Sequence, residues 1–163
     1  MLTANTIILP ILPPFAESRW IPGVPAFRVK VLGLSGGVKR VKILVIDDEA
    51  VIADTVSEIL KDEGFDAISL AGGEAAIELA KTIQPDIVIS DVIMPGMNGI
   101  EIAIRIRALV PHCKIVLFSG QAATVDLLDE AHKQGHDFQI IAKPIKPEVL
   151  LSVIQNALSS GKM

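Results

Sequence analysis

At 163 residues, half of them hydrophobic and about a fifth charged, the chain can build one domain with a full core but not two of usual size. A net charge of −4 gives no support for binding nucleic acid by neutralising phosphates, and one Trp, five Phe and no Tyr leave no stacking platform for bases or sugars. The charge is uneven: residues 1–40 carry five basic and one acidic side chain (+4), and residues 41–163 carry ten and 18 (−8), so the acidic part suits metal ions or basic partner surfaces.

Five of the ten prolines lie in the first 25 residues, and no helical or alternating pattern survives among them. The run from Ile7 to Pro14 is apolar but broken by three prolines. It has no basic residue before it and no clear small-residue cleavage site after it, which argues against a secretory signal. No stretch approaches the roughly 20 apolar residues of a membrane span. Gly33–Gly37 reads as a flexible join. Residues 1–40 are therefore an extension expected to be poorly ordered. A valine-coded start at Val38 would leave most of it unmade, which the intact mass of the native protein decides.

From Val41 the chain alternates between strand and helix. Val41–Ile46 is a β-rich run ending in Asp47-Asp48-Glu49. A helix follows over Val51–Leu60, with Val51, Ile52, Thr55/Val56, Ile59 and Leu60 as its apolar face and Gly64 as its stop. Ala67–Leu70 is a weaker strand. Gly72-Gly73 opens a helix with Ala76, Ile77, Leu79, Ala80 and Ile83 on one face, closed before Pro85. Asp86–Ser90 is a strand apolar enough to be buried on both faces. Asn98 caps a helix to about Val110. Cys113, the single cysteine, cannot form an internal disulfide and fits a reducing cytoplasm, where it reads as a small apolar residue. Lys114–Phe118, Ala122–Gln134, Gln139–Ala142 and Pro147–Ser159 complete the series as strand, helix, strand and helix. Five βα units with short joins imply an α/β fold, a parallel sheet covered on both faces, with reactive groups beyond the carboxyl ends of its strands.

Those strand ends carry the chemistry. Asp47 and Asp48 follow the first strand, Asp91 the third, Ser119 the fourth and Lys143 the fifth. Clustered carboxylates repel one another, and a hard divalent ion such as Mg²⁺ removes that cost through oxygen ligands while keeping several waters. One carboxylate can then attack phosphorus. Phosphoryl transfer needs a metal, an ammonium and a hydroxyl or amide around the equatorial oxygens, and the set supplies each once. Singly, each part has a plainer role: Asp47-Asp48 as an acidic helix start, Ser119 as a turn residue, Lys143 as a surface lysine.

Lys42-Ile43-Leu44-Val45-Ile46-Asp47-Asp48-Glu49, then the block from Pro85 to Gly99 around Asp91 and Met94-Pro95-Gly96, then Ser119-Gly120 and Lys143-Pro144, together resemble bacterial two-component receiver domains over some 120 residues. The resemblance implies a flavodoxin-like, doubly wound five-stranded sheet of order 2-1-3-4-5 with five helices. It implies that Asp91 accepts a phosphoryl group from the phosphohistidine of a sensor histidine kinase or histidine phosphotransfer protein. Asp47, Asp48, Asp91 and the backbone carbonyl of Ile93 would hold Mg²⁺. Lys143 and Ser119 would each take a phosphoryl oxygen, and the Lys143–Pro144 peptide would be cis.

One departure concerns switching. Receivers usually carry Tyr or Phe three residues before the lysine, where this chain has Ile140, and Gly135 lies one residue farther from the lysine than expected. Either the loop holds an extra residue or Phe138 stands in for the aromatic. Only Ser159–Met163 follows the last helix, so a cytoplasmic single-domain regulator is expected, one that turns over no outside substrate and binds no nucleic acid or membrane. Its output would be a contact with a downstream protein through the fourth helix, fifth strand and fifth helix, with a weak phosphorylation-dependent dimer as a further expectation. A relay carrier and a phosphorylation-independent docking unit are the readings nearest to it. A metal-dependent phosphohydrolase would want an acid two residues after the nucleophile, and that position is Ile93.

Overall fold

A computed structural model describes residues 40–120 and 124–159. The expected extension, Arg40 apart, lies outside the described residues, as do residues 121–123 and the last four. Ten elements alternate: β1 (Lys42–Ile46), α1 (Ala50–Asp62), β2 (Asp66–Leu70), α2 (Gly73–Ile83), β3 (Ile87–Asp91), α3 (Gly99–Leu109), β4 (Lys114–Ser119), α4 (Thr124–Lys133), β5 (Gln139–Ala142) and α5 (Pro147–Ser159). The sheet is parallel throughout, in the order β2-β1-β3-β4-β5. Strand order reverses between β1 and β3, and there the carboxyl ends of both strands meet.

The apolar runs sort by strand parity. Leu44, Ile46, Val88 and Leu117 face a cluster completed by α2, α3 and Ala131 of α4. Ile43, Val45, Ile87, Ile89, Val116 and Phe118 face a second cluster under α1 and α5. Central β3 is buried at all five positions, its apolar run of Ile87, Val88 and Ile89 on both faces and Ser90 and Asp91 at its carboxyl end. Each fully buried aliphatic side chain of this kind contributes about 1.5–3 kcal/mol by leaving water. Asn98 caps α3 through its side-chain oxygen, which accepts from the Glu101 amide at 2.9 Å. Among the described residues no helix is long and apolar enough to cross a membrane.

One expected face is rotated. Helix α1 buries Ala53, Val56, Ser57 and Leu60, while Val51 is 77% exposed. Close approach to the sheet selects the stripe containing small Ala53 and Ser57, and the larger aliphatics of the neighbouring stripe are left at the rim. Counting hydrophobic residues alone picks the wrong stripe, because it rewards size over fit.

Candidate functional site

Parallel pairing sets the carboxyl ends of β1, β3, β4 and β5 along one edge. In register, Asp91 lies beside Phe118 and Ser119 beside Ala142, so the residue after β5, Lys143, comes up next to the end of β4. The Lys143 amide donates to the Ser119 carbonyl at 2.8 Å, fixing that neighbourhood through the main chain. The Lys143–Pro144 peptide is cis.

Asp47 is only 1% exposed. Its Oδ1 accepts from the Glu49 amide at 2.9 Å, turning the chain into α1, and its Oδ2 accepts from Lys143 Nζ at 3.1 Å. Asp91 is 9% exposed. Its Oδ2 takes the same ammonium at 2.7 Å, and its Oδ1 accepts from the Ile93 amide at 3.3 Å. Asp48 is exposed, yet one of its oxygens lies within 4.8 Å of an oxygen from Asp47 and from Asp91. Burial pulls the Lys143 ammonium toward neutrality, but its hydrogen bonds to Asp91 and Asp47 outweigh that and raise its pKa above 10.5.

Three carboxylates against one ammonium leave a charge of −2 at a partly buried edge. That donor set, all oxygen and with one side open to water at Asp48, fits a hard divalent cation such as Mg²⁺. The structure thus brings Asp47, Asp48, Asp91 and Lys143 together. Ile93 reaches Asp91 through its amide, and Ser119 joins through its carbonyl.

The two switch candidates do not join them. The ladder between β4 and β5 runs unbroken over Gln139–Ala142, with Ile140 beside Leu117 and Phe138 just before the strand. Ile140 is 42% exposed, on the sheet face that α4 covers. Phe138 has the same parity one step toward the opposite edge of the sheet, where its ring packs on the core. Arg107 of α3 stacks over that ring at 4.5 Å from its centroid, and His136 lies nearly parallel to it. Arg107 Nη2 also donates to the Asp137 carbonyl at 3.2 Å. Sequence reasoning missed this stack; an Arg in the last turn of α3 was its only trace.

An apolar groove of about 310 Å³ was missed as well. It runs beside Lys143 and is lined by Val51, Ile52, Thr55, Ile59, Pro144 and Ile145. The apolar stripe misread as core is its signal.

Comparison with known proteins agrees with this geometry. The response regulator receiver domain family matches residues 43–155. The DNA-binding response regulator MtrA of Mycolicibacterium paratuberculosis is 35% identical over 121 residues, covering 73% of this chain and 52% of its own length. The chain thus spans about half the length of the curated relatives it matches. A receiver domain protein from Clostridium thermocellum superposes with a TM-score of 0.66 at 28% identity, covering 73% of this chain and 94% of that one. The chemotaxis protein CheY4 of Vibrio cholerae gives 0.64 at 29%, covering 72% and 98%.

Proposed function

The chain belongs to the response regulator receiver family, and on that premise we propose that Asp91 takes a phosphoryl group from the phosphohistidine of a sensor histidine kinase or histidine phosphotransfer protein. The observation that carries the reading is the ammonium of Lys143, held at once by Asp91 and Asp47. An Asp91 carboxylate oxygen forms the new O–P bond as the N–P bond to the donor imidazole breaks, and the electron pair leaves with the imidazole. Lys143 transfers one of its hydrogen bonds from the carboxylate to a phosphoryl oxygen, and the Ser119 hydroxyl takes another. Asp47, Asp48, Asp91 and the Ile93 carbonyl would hold Mg²⁺, which supplies charge neutralisation at the transferring group.

A donor phosphohistidine must bring its phosphorus to about 3–3.5 Å from an Asp91 oxygen, with the imidazole in line behind it. Its protein therefore sits against the rim beside the site, and the groove between α1 and Pro144-Ile145 offers apolar surface there for a donor helix. The proposed receiver spans residues 41–163 and acts in the cytoplasm. Its output is contact with a downstream protein through α4, β5 and α5, and a weak phosphorylation-dependent dimer uses the same kind of contact. The DNA-binding role in the name of MtrA belongs to that longer protein.

Incubation with acetyl phosphate and Mg²⁺, followed by intact mass, tests the reading. Wild type should gain one phosphoryl group, and Asp91→Asn, with the same shape but no nucleophilic oxygen, should gain none. Undiminished labelling of Asp91→Asn, or continuous phosphate release without a stable acyl phosphate, contradicts it.

A further inference from the structure

The geometry points to Gly99 and Ser90 as positioning residues that fix the main chain of Asp91 from two sides, an inference that rests on Asp91 being the nucleophile. Gly99 is the first residue of α3 and stands eight positions beyond Asp91, across the turn that carries Met94-Pro95-Gly96. Its amide donates to the Val92 carbonyl at 2.9 Å, so the helix start is tied to the residue next to Asp91. A Cβ on Gly99 would lie 1.8 Å from the Asp91 carbonyl oxygen, 2.7 Å from the Asp91 carbonyl carbon and 3.0 Å from Ser90 Oγ. The glycine is therefore required for want of a side chain.

Helix α3 seats its first turn directly on the peptide that leaves the nucleophile. On the same carbonyl, the fully buried Ser90 hydroxyl donates at 3.0 Å. Ser90 is a polar residue in a strand otherwise apolar up to Asp91, and its hydroxyl is spent on this one bond. The Asp91 peptide is thus held by a hydroxyl and by the helix, while its carboxylate is held by Lys143 and the Ile93 amide.

The consequence is geometric. A non-bonded carbon–oxygen contact needs about 3.3 Å, so a methyl at Gly99 must open the contact by about 1.5 Å. Both atoms nearest the methyl are main chain, and no rotamer relieves the clash. In-line attack tolerates such displacement poorly: about 1 Å of misplacement costs on the order of 10²-fold in rate. Gly73, at the start of α2, is the natural control. A Cβ there would meet side-chain atoms only, Cδ1 and Cγ1 of the buried Ile102 and Cβ of Met97, and no atom of Asp91.

The experiment compares wild type, Gly99→Ala, Ser90→Ala and Gly73→Ala. Labelling rate by acetyl phosphate at saturating Mg²⁺ is measured across phosphodonor concentrations and divided by the folded fraction from melting curves. Mg²⁺ affinity is measured separately by calorimetry without phosphodonor. Gly99→Ala should lose tenfold to a hundredfold in maximal rate per folded molecule and bind Mg²⁺ several-fold more weakly. Ser90→Ala should lose severalfold in rate, and Gly73→Ala should match wild type on both measures. A folded Gly99→Ala with wild-type rate and affinity overturns the inference, as does an equal loss in Gly73→Ala. If Gly99→Ala fails to fold, Ser90→Ala decides, and an unchanged rate and Mg²⁺ affinity there refute the clamp. Wild type that binds Mg²⁺ but is never labelled refutes the proposed function, while the Mg²⁺ affinities of the variants still judge Gly99 and Ser90.

Discussion

Replacing Lys143 by Met keeps most of the stem and removes the one ammonium between two nearly buried carboxylates. Breaking a fully buried pair costs about 3–5 kcal/mol, because the partner is left charged and unpaired. Lys143 is 23% exposed along its side chain, so water recovers part of that, and a loss of about 2–3 kcal/mol is expected. For a domain of this size that lowers Tm by roughly 8–12 °C in EDTA. Mg²⁺ supplies positive charge to the same oxygens, so it should stabilise the variant more than wild type and at least halve the difference at saturation. The pH dependence has a fixed sign. The pKa of Lys143 is raised above 10.5 in the fold, so its stabilisation is complete below pH 10.5 and is lost as pH rises through the folded value. The gap between wild type and variant should close in that alkaline window. Melting of Lys143→Met within about 1 °C of wild type in EDTA at pH 7 would refute the reasoning, since the pair would then contribute too little to register.

Ser57 is fully buried and its hydroxyl has no partner among the described residues, so Ser57→Ala should raise stability by about 1 kcal/mol through relief of that hydroxyl and better helix propensity. A fall in Tm would contradict it. Burial, with Asp86 second, pushes the Cys113 thiol up to about 12, so at pH 8 an aromatic disulfide reagent should modify the native protein ~10³-fold more slowly than the unfolded chain. Equal rates would place the thiol in solvent. Ser119→Ala should still be labelled yet fail to pass the change to α4 amide chemical shifts, whereas Ile140→Ala should leave that response intact. A full α4 response in Ser119→Ala refutes the coupling.

The fold was legible because each strand and helix obeys its own period, and strand boundaries agree with the observed ones to within a residue or two. The chemical residues were legible for a different reason: charges at the ends of apolar strands have no packing role, so Asp47, Asp91 and Lys143 stand out against Ile46, Ser90 and Ala142. What escaped reading depends on fit between elements distant in sequence. Val51 is as apolar as Leu60, but nine positions on α1 put them on opposite faces, and only the way the helix seats on the sheet decides which face is buried. Arg107 and Phe138 lie 31 positions apart, and nothing local tells that they stack. Gly99 reads as an ordinary helix start until the Asp91 carbonyl is located beneath it.

The missing aromatic at position 140 bears on how a receiver with this site could transmit its state. Phe138 cannot substitute for it by rotamer exchange without giving up Arg107, which covers its ring from α3. Ile140 has no polar tip to follow a hydroxyl. The main chain offers another route, because the Lys143 amide is bonded to the Ser119 carbonyl and the Lys143 ammonium is bonded to Asp91. In the proposed reaction, a phosphoryl group of about −1.5 to −2 charge draws the ammonium and the Ser119 hydroxyl together. Both then pull on one hydrogen-bonded unit formed by the ends of β4 and β5. At the other end of β5 the loop is tethered, with Arg107 donating to the Asp137 carbonyl and His132 of α4 paired to the Asp137 carboxylate. In the proposed reaction, movement of the site edge against that tether would give Ser119 and Lys143 a route to α4 through His132, with no ring needed at position 140.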